Sequence, residues 1–300
     1  MKKKFVFLGD FNSINIEIIN KSHKHLKKKV KYIIIGNKKD MSCYLNKLSS
    51  KLKLNEINNP LDFDNLKEDE LNIFNIDNIS KYKFKNLLHQ IDIANYLSNS
   101  LKIDLVTMAI DKSLFKKKIN FVGLTEYLAK INNTKTKMLM YGEKFSIIPL
   151  TTHINLKNVA AFVKKDTLKK LLKDILSQIK SENLKLNFNA INFLCYNPHC
   201  SESNTLGTED KIIKETLINF NEIKGPFAAD SAFQKYDYKS LFISMYHDQA
   251  LIPFKILNKK GINLTMGLNY RRLSPAHGTA RDIKFKNKAD ISSYVACMEL

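Results

Sequence analysis

The sequence predicts an α/β fold, and three observations carry that expectation. Short β-branched runs alternate with longer, lysine-rich amphipathic stretches, as strands and helices laid down in turn would. Polar residues recur just past the carboxyl ends of the strand-like runs, where open α/β sheets gather their ligands. The 300 residues, 44% of them hydrophobic, can bury the cores of two ordinary domains, yet no Pro/Gly/Ser linker divides them. Two domains in such a chain would be interleaved.

The elements follow in order. Residues 4–8 form an apolar run stopped by Gly9-Asp10 and read as a first strand, with a helix over 13–27. Residues 32–35 are a second buried strand, ended by Gly36, and a helix runs from there through Leu52. The segment 53–80 is rich in Asn, Asp and Glu, has weak periodicity and reads as irregular. Residues 104–110 are a strand opening into Asp111-Lys112, and a helix spans roughly 125–131. Two adjacent strands, 137–141 and 145–150, flank a turn at Gly142, and 159–179 has the apolar spacing of a long helix. Strands at 190–196 and 241–245 open into Asn197-Pro198-His199 and Tyr246-His247-Asp248, and 289–300 closes the chain as a helix.

Composition excludes several function classes. The net charge of +20 suits phosphate-rich partners, but the lysines are spread along the chain, and no zinc-finger spacing or RNA-binding aromatic pattern accompanies them. A solvated lysine surface, not a nucleic-acid interface, is the reading. The four cysteines (Cys43, Cys195, Cys200, Cys297) form no C-x-x-C pair, consistent with a reducing compartment. The basic start at Met1–Lys4 imitates a secretion signal, but its apolar run is broken at Gly9-Asp10, and no stretch reaches membrane-spanning length. A soluble cytoplasmic protein is expected.

Only three arginines occur, Arg271, Arg272 and Arg281, all near the end of the chain. A planar, bidentate grip on phosphate or carboxylate calls for arginine where bulk charge needs only lysine. His247, Asp248, Lys255, Asn263, Arg272 and His277 therefore read as a polar site for an anionic ligand. His153, His199 and His247 each follow a strand. Singly, each reads as a structural histidine; together they suit a divalent metal with open coordination positions. His23 and His25, in a lysine-rich helix, read as solvated. Lys255 is either one more surface lysine or, in its Ile-Pro-Phe context, a buried, charge-paired one able to hold a carboxylate or move a proton. Asp230 and Asp248 are the nearest candidate carboxylates, with helix capping as the alternative. No G-x-G-x-x-G follows the first strand, so the Rossmann dinucleotide fingerprint is missing.

These motifs, taken in order, resemble the 4-hydroxythreonine-4-phosphate dehydrogenases of vitamin B6 synthesis, relatives of the isocitrate and isopropylmalate dehydrogenases. The resemblance runs from the first strand to the end and is densest in T-T-H-I-N-L-K-N-V, N-P-H, G-P-F-A-A-D-S-A-F, M-Y-H-D-Q-A-L-I-P-F-K, G-I-N-L-T-M-G-L and R-R-L-S-P-A-H-G-T-A-R-D-I. It implies a homodimer of two-domain α/β/α subunits with the active site at the dimer interface, one domain from residues 1–125 plus 280–300 and the other from 126–279. It also implies His153, His199 and His247 as ligands, from both subunits, of a zinc, magnesium or cobalt ion. Thr125, Lys255, Asn263 and Arg272 would bind substrate, Lys255 and Asp248 would serve catalysis, and Asp230 would lie near NAD or NADP. The implied reaction oxidises 4-phosphooxy-L-threonine and decarboxylates it to 3-amino-2-oxopropyl phosphate, in pyridoxal phosphate biosynthesis.

The chain departs from the family pattern in its loops. G-D-P-A-G-I-G-P-E becomes Gly9 to Glu17 without internal glycines or prolines, and P-x-N-K becomes Ala109 to Lys112 with Asp111 in place of an amide. The glycine-rich A-G-E-G-G is Cys200 to Asn204, and the histidine of G-H-T-E is Leu124. Losing a hydrogen bond to a charged group costs about 1.5–3 kcal/mol, so histidine at 124 is expected to improve substrate affinity if the substrate is retained. The alternative is a dehydrogenase of this fold acting on a different phosphorylated hydroxy acid.

Overall fold

The computed structural model describes every residue except 117–120, 182, 183, 185, 235, 237 and 238. It divides into two compact units, Met1–Thr136 with Gly267–Leu300, and Lys137–Met266. The chain thus leaves the first unit, builds the second and returns.

The first unit opens with β1 (Lys2–Phe7), α1 (Asn15–Leu26), β2 (Val30–Gly36) and α2 (Lys38–Lys47). It continues through β3 (Leu54–Glu56), β4 (Leu71–Asn75), α3 (Lys83–Leu101), β5 (Asp104–Thr107) and α4 (Leu124–Ile131). The segment expected to be irregular therefore contains two short strands. Leu71 and Ile73 are fully buried while β3 stays half exposed, so β3 has no clear apolar signal of its own.

The second unit runs β6 (Lys137–Tyr141), β7 (Ser146–Pro149), α5 (Lys165–Ile179), β8 (Ala190–Leu194), α6 (Glu209–Leu217), β9 (Ile223–Phe227), β10 (Ser240–Ser244), α7 (His247–Leu257) and β11 (Ile262–Met266). Its strands are ordered β11-β6-β7-β10-β8-β9. The β11–β6 and β6–β7 pairs are antiparallel and the others parallel. Back in the first unit, β12 (Arg272–Pro275) and α8 (Ser292–Glu299) complete a parallel sheet ordered β3-β4-β2-β1-β5-β12. The units divide after Thr136 and before Gly267 for a packing reason: α4 buries Leu124 and Leu128 in the first core, and β12 pairs with β5.

Both sheets are covered on two faces, as strands buried on both sides require. In the first unit Phe5, Phe7, Ile33, Ile35 and Leu105 pack with α3 and α4. The alternating Val6, Ile34 and Val106 are also fully buried and face the other way, toward the side of α1 and α8. In the second unit Ile147, Leu194 and Phe242 pack with α7, and their neighbours Ile148, Phe193 and Ile243 are buried on the face of α5 and α6. The expected α/β architecture is borne out.

Two charged or polar core residues are informative. Lys4, fully buried in β1, bonds Asp104 Oδ2 at 2.9 Å, and Arg271 Nε donates to Asp104 Oδ1 at 3.0 Å. Burial pushes the Lys4 ammonium below its ordinary range against the pull of Asp104. His23, expected to be solvated, is instead 3% exposed, its Nδ1 2.7 Å from Tyr32 Oη. Ile16, Ile19, His23 and Leu26 share the buried stripe of α1, and burial lowers the imidazole's proton affinity.

Candidate active site

In the second unit, three neighbouring parallel strands, β7, β10 and β8, each deliver one of the singled-out histidines past a carboxyl end. His153 follows β7, His247 follows β10 as the first residue of α7, and His199 follows β8. Two side chains stitch these loops together. Thr151 Oγ1 donates to the carbonyl of Met245 at 2.6 Å, tying the His153 loop to the His247 loop. Gln249 accepts from Met245 N at 2.9 Å and donates to the carbonyl of Cys195 at 2.8 Å, tying the His247 loop to the end of β8. The His153 and His247 rings lie 6.1 Å apart, centre to centre.

Two of the imidazoles have a carboxylate at Nδ1. His247 Nδ1 is 2.7 Å from Asp248 Oδ1, and His199 Nδ1 is 3.8 Å from Asp230 Oδ2. At hydrogen-bond distance the Asp248 carboxylate fixes the His247 ring and leaves its Nε2 as the ligating nitrogen, the arrangement that metal-bound histidines use, whereas Asp230 stands beyond that distance from His199. The donor chemistry therefore fits a divalent ion. Among the described residues, no group of three His, Cys, Asp or Glu side chains able to hold a metal forms within one chain. His199 does not join the other two.

The nearby polar residues divide by environment. Asp248 lies in the first turn of α7, where a negative charge suits the helix dipole. Asp230 is exposed beside His199. Asn263, on β11, holds its Oδ1 buried without a hydrogen-bond partner among the described residues, a vacant acceptor of the kind a ligand donor satisfies. Of the two readings of Lys255, the structure has the surface one: it is exposed, and no carboxylate pairs with it among the described residues. Helical spacing explains this, since Ala250, Leu251 and Phe254 turn inward and leave Ile252, Lys255 and Ile256 on the outer face.

In the first unit, Arg272 is 4% exposed. Its Nε donates to Thr107 Oγ1 at 2.8 Å and its Nη1 to Thr125 Oγ1 at 3.1 Å, and burial pulls its pKa down to about 10. Two hydroxyls thus aim a cation that remains charged at neutral pH. His277 Nδ1 donates to the Gly278 carbonyl 2.9 Å away, and burial lowers its proton affinity too. Leu124, beside Thr125, is 9% exposed and packs in the apolar core with Phe115 and Leu128.

The loops that depart from the family pattern contact one another within this unit. Asn15 Nδ2 donates to the carbonyls of Leu8 (3.0 Å) and Ala109 (2.8 Å), and Asp10 N donates to Ala109 O at 3.0 Å. Arg281 pairs with Asp111, Lys284 Nζ donates to Asn12 Oδ1 at 2.9 Å, and Ile14 N reaches Thr279 O at 3.1 Å. Gly9 remains because it has φ +73° and a Cβ there would stand 2.6 Å from Ala109 O. Asn15, Asp111 and Asn12 thus tie these loops to one another and to the segment around Arg281 and Lys284.

Residues 28–300 match the family model described as pyridoxal phosphate biosynthetic protein PdxA. The chain belongs to the PdxA family. A PdxA-family relative from Aquifex aeolicus, named 4-hydroxythreonine-4-phosphate dehydrogenase, is 35% identical over 100% of this chain and 97% of its own length. Another of that name, from a Sulfurihydrogenibium species, is 31% identical over 100% and 97%. The crystal structure of the Klebsiella pneumoniae 4-hydroxythreonine-4-phosphate dehydrogenase superposes with a TM-score of 0.84, at 24% identity, over 100% of this chain and 98% of that one, and so shares its fold. The family expected from the motifs is borne out, and the relatives carry the name of the expected dehydrogenase.

Sequence reasoning overlooked Thr107, Thr151, Gln249 and Asp210, which hold site residues rather than carry chemistry. Asp210 alone left a trace, as an acidic residue at the start of an amphipathic helix.

Proposed function

We propose that this chain is a divalent-metal-dependent, NAD(P)-dependent dehydrogenase that converts 4-phosphooxy-L-threonine to 3-amino-2-oxopropyl phosphate. The full-length match to relatives named for that activity carries the reading. The secondary alcohol would give up a proton and a hydride, for which a bound oxidised nicotinamide would be the acceptor, and the resulting keto acid would lose its carboxylate as CO2 and take up a proton at the carbon that bore it. His153, His199 and His247 would hold the metal, with Asp248 orienting the His247 ring. A divalent ion bound there supplies Lewis-acid polarisation of an oxygen. Arg272, aimed by Thr107 and Thr125, would grip an anionic group of the substrate, and Asn263 would accept a hydrogen bond from it. Lys255 would hold a carboxylate or move a proton, and Asp230 would lie near the cofactor.

The same reading makes the active species a homodimer in the cytoplasm. Ile252 and Ile256, 59% and 72% exposed, flank Lys255 on α7 and are suited to cover by a second copy. No helix among the described residues is long and apolar enough to cross a membrane. One observation favours a second reading, a different phosphorylated hydroxy acid as substrate: the residue replacing the family's histidine, Leu124, lies in the core.

The test is NAD(P)H formation with 4-phosphooxy-L-threonine, with divalent metal or with chelator, for the wild type and for His247→Ala. Metal-dependent turnover that His247→Ala loses while remaining folded is expected. A fully active His247→Ala variant sinks the metal assignment, and a metal-loaded wild type that turns over only other hydroxy acids selects the second reading.

A further inference from the structure

The loop that carries His199 has an unusual backbone. Six consecutive non-glycine residues, His199 to Asn204, have φ between 42° and 74°, a left-handed turn that L-residues with a Cβ resist. Something must hold it, and one buried carboxylate is placed to do so. Asp210, 3% exposed in the first turn of α6, accepts from Tyr196 N at 2.6 Å, Asn197 N at 3.0 Å and Ser201 Oγ at 2.7 Å. These donors bracket His199 on both sides. Asn197 Nδ2 reinforces the arrangement by donating to Ser201 Oγ and to Glu209 Oε2, each at 3.0 Å.

We propose that Asp210 is the positioning residue of His199: its carboxylate clamps the chain before and after the histidine and so sets where the imidazole is presented. The proposal rests on the reading of His199 as a metal ligand. Three donors converge on one buried carboxylate; an amide in its place keeps a single accepting oxygen and turns its N–H toward the backbone N–H of Tyr196 or Asn197, which can only donate. The clamp would therefore loosen in Asp210→Asn without a change in side-chain volume.

Zinc binding by the full-length protein is measured calorimetrically for the wild type, Asp210→Asn, Asp210→Glu and His199→Ala, together with amide hydrogen exchange at Tyr196 and Asn197. The expected result is zinc affinity weakened about 10- to 100-fold in Asp210→Asn, with faster exchange at both amides and substantial recovery in Asp210→Glu. The zinc concentration for half-maximal activity rises in parallel. Wild-type zinc affinity in Asp210→Asn, with binding lost in His199→Ala, overturns the proposal and spares the metal reading. Undiminished binding in His199→Ala overturns both. Should Asp210→Asn not fold, Ser201→Ala removes one of the three bonds, and an unshifted zinc affinity there also counts against the clamp.

Discussion

Replacing Leu124 with histidine separates what the motif implies from what the packing implies. On motif grounds the change restores a substrate contact and improves affinity. In the structure the leucine is 9% exposed and contributes to the apolar cluster of the first unit. Removing it forfeits most of the about 1.5–3 kcal/mol that a buried leucine contributes. An imidazole left there without partners adds about 1–3 kcal/mol for unsatisfied polar atoms. The expected destabilisation is thus roughly 3–5 kcal/mol, read as a lowered urea midpoint at unchanged slope. The KM for 4-phosphooxy-L-threonine should change less than about twofold. A variant with wild-type stability and a KM lowered about tenfold or more, the effect of one charge-assisted hydrogen bond, would show that residue 124 faces substrate and that the packing argument is wrong.

Three further outcomes are expected. Asp104→Asn leaves Lys4 buried against a neutral amide and should cost about 3–5 kcal/mol by chemical denaturation, whereas Lys4→Met, which leaves Asp104 to Arg271, should cost clearly less; equal costs would contradict the buried-pair account. Ser203→Gly relieves one exposed left-handed residue, φ 60°, and after the entropy cost of glycine should stabilise by about 0.5–1 kcal/mol; destabilisation would mean that the turn is not left-handed in solution. His23 has its proton affinity lowered by burial, so its contribution is complete above the ordinary histidine value of 6.5 and is lost as pH falls below it toward the depressed folded value. Stability measured from pH 8 to pH 5 should fall more steeply in the wild type than in His23→Phe, and parallel curves would exclude His23 as the cause.

The central strands were legible because β1, β2, β5, β7, β8 and β10 are apolar on both faces, a signal that needs no knowledge of neighbours. The motif histidines were legible because each follows such a strand. Helical periodicity also held the burial of His23 and the exposure of Lys255, since each position follows from its spacing to Ile19 and Phe254. Reading those residues by composition, as lysine-rich or apolar surroundings, concealed it.

By itself the sequence determined the α/β class, the family and the residue types of the site, because apolar runs, turn residues and ordered motifs are local properties of the chain. Tertiary structure alone decided that Arg272 is aimed by Thr107, 165 positions away, that Asp248 and Asp230 lie against different imidazoles, and that Asp210 grips the His199 loop. It also decided that Leu124 turns into the core and that α4 and β12 belong to the first unit. Each of these depends on which distant surfaces meet. Burial and hydrogen-bond satisfaction settle that for the folded chain as a whole, and no single stretch of sequence encodes it.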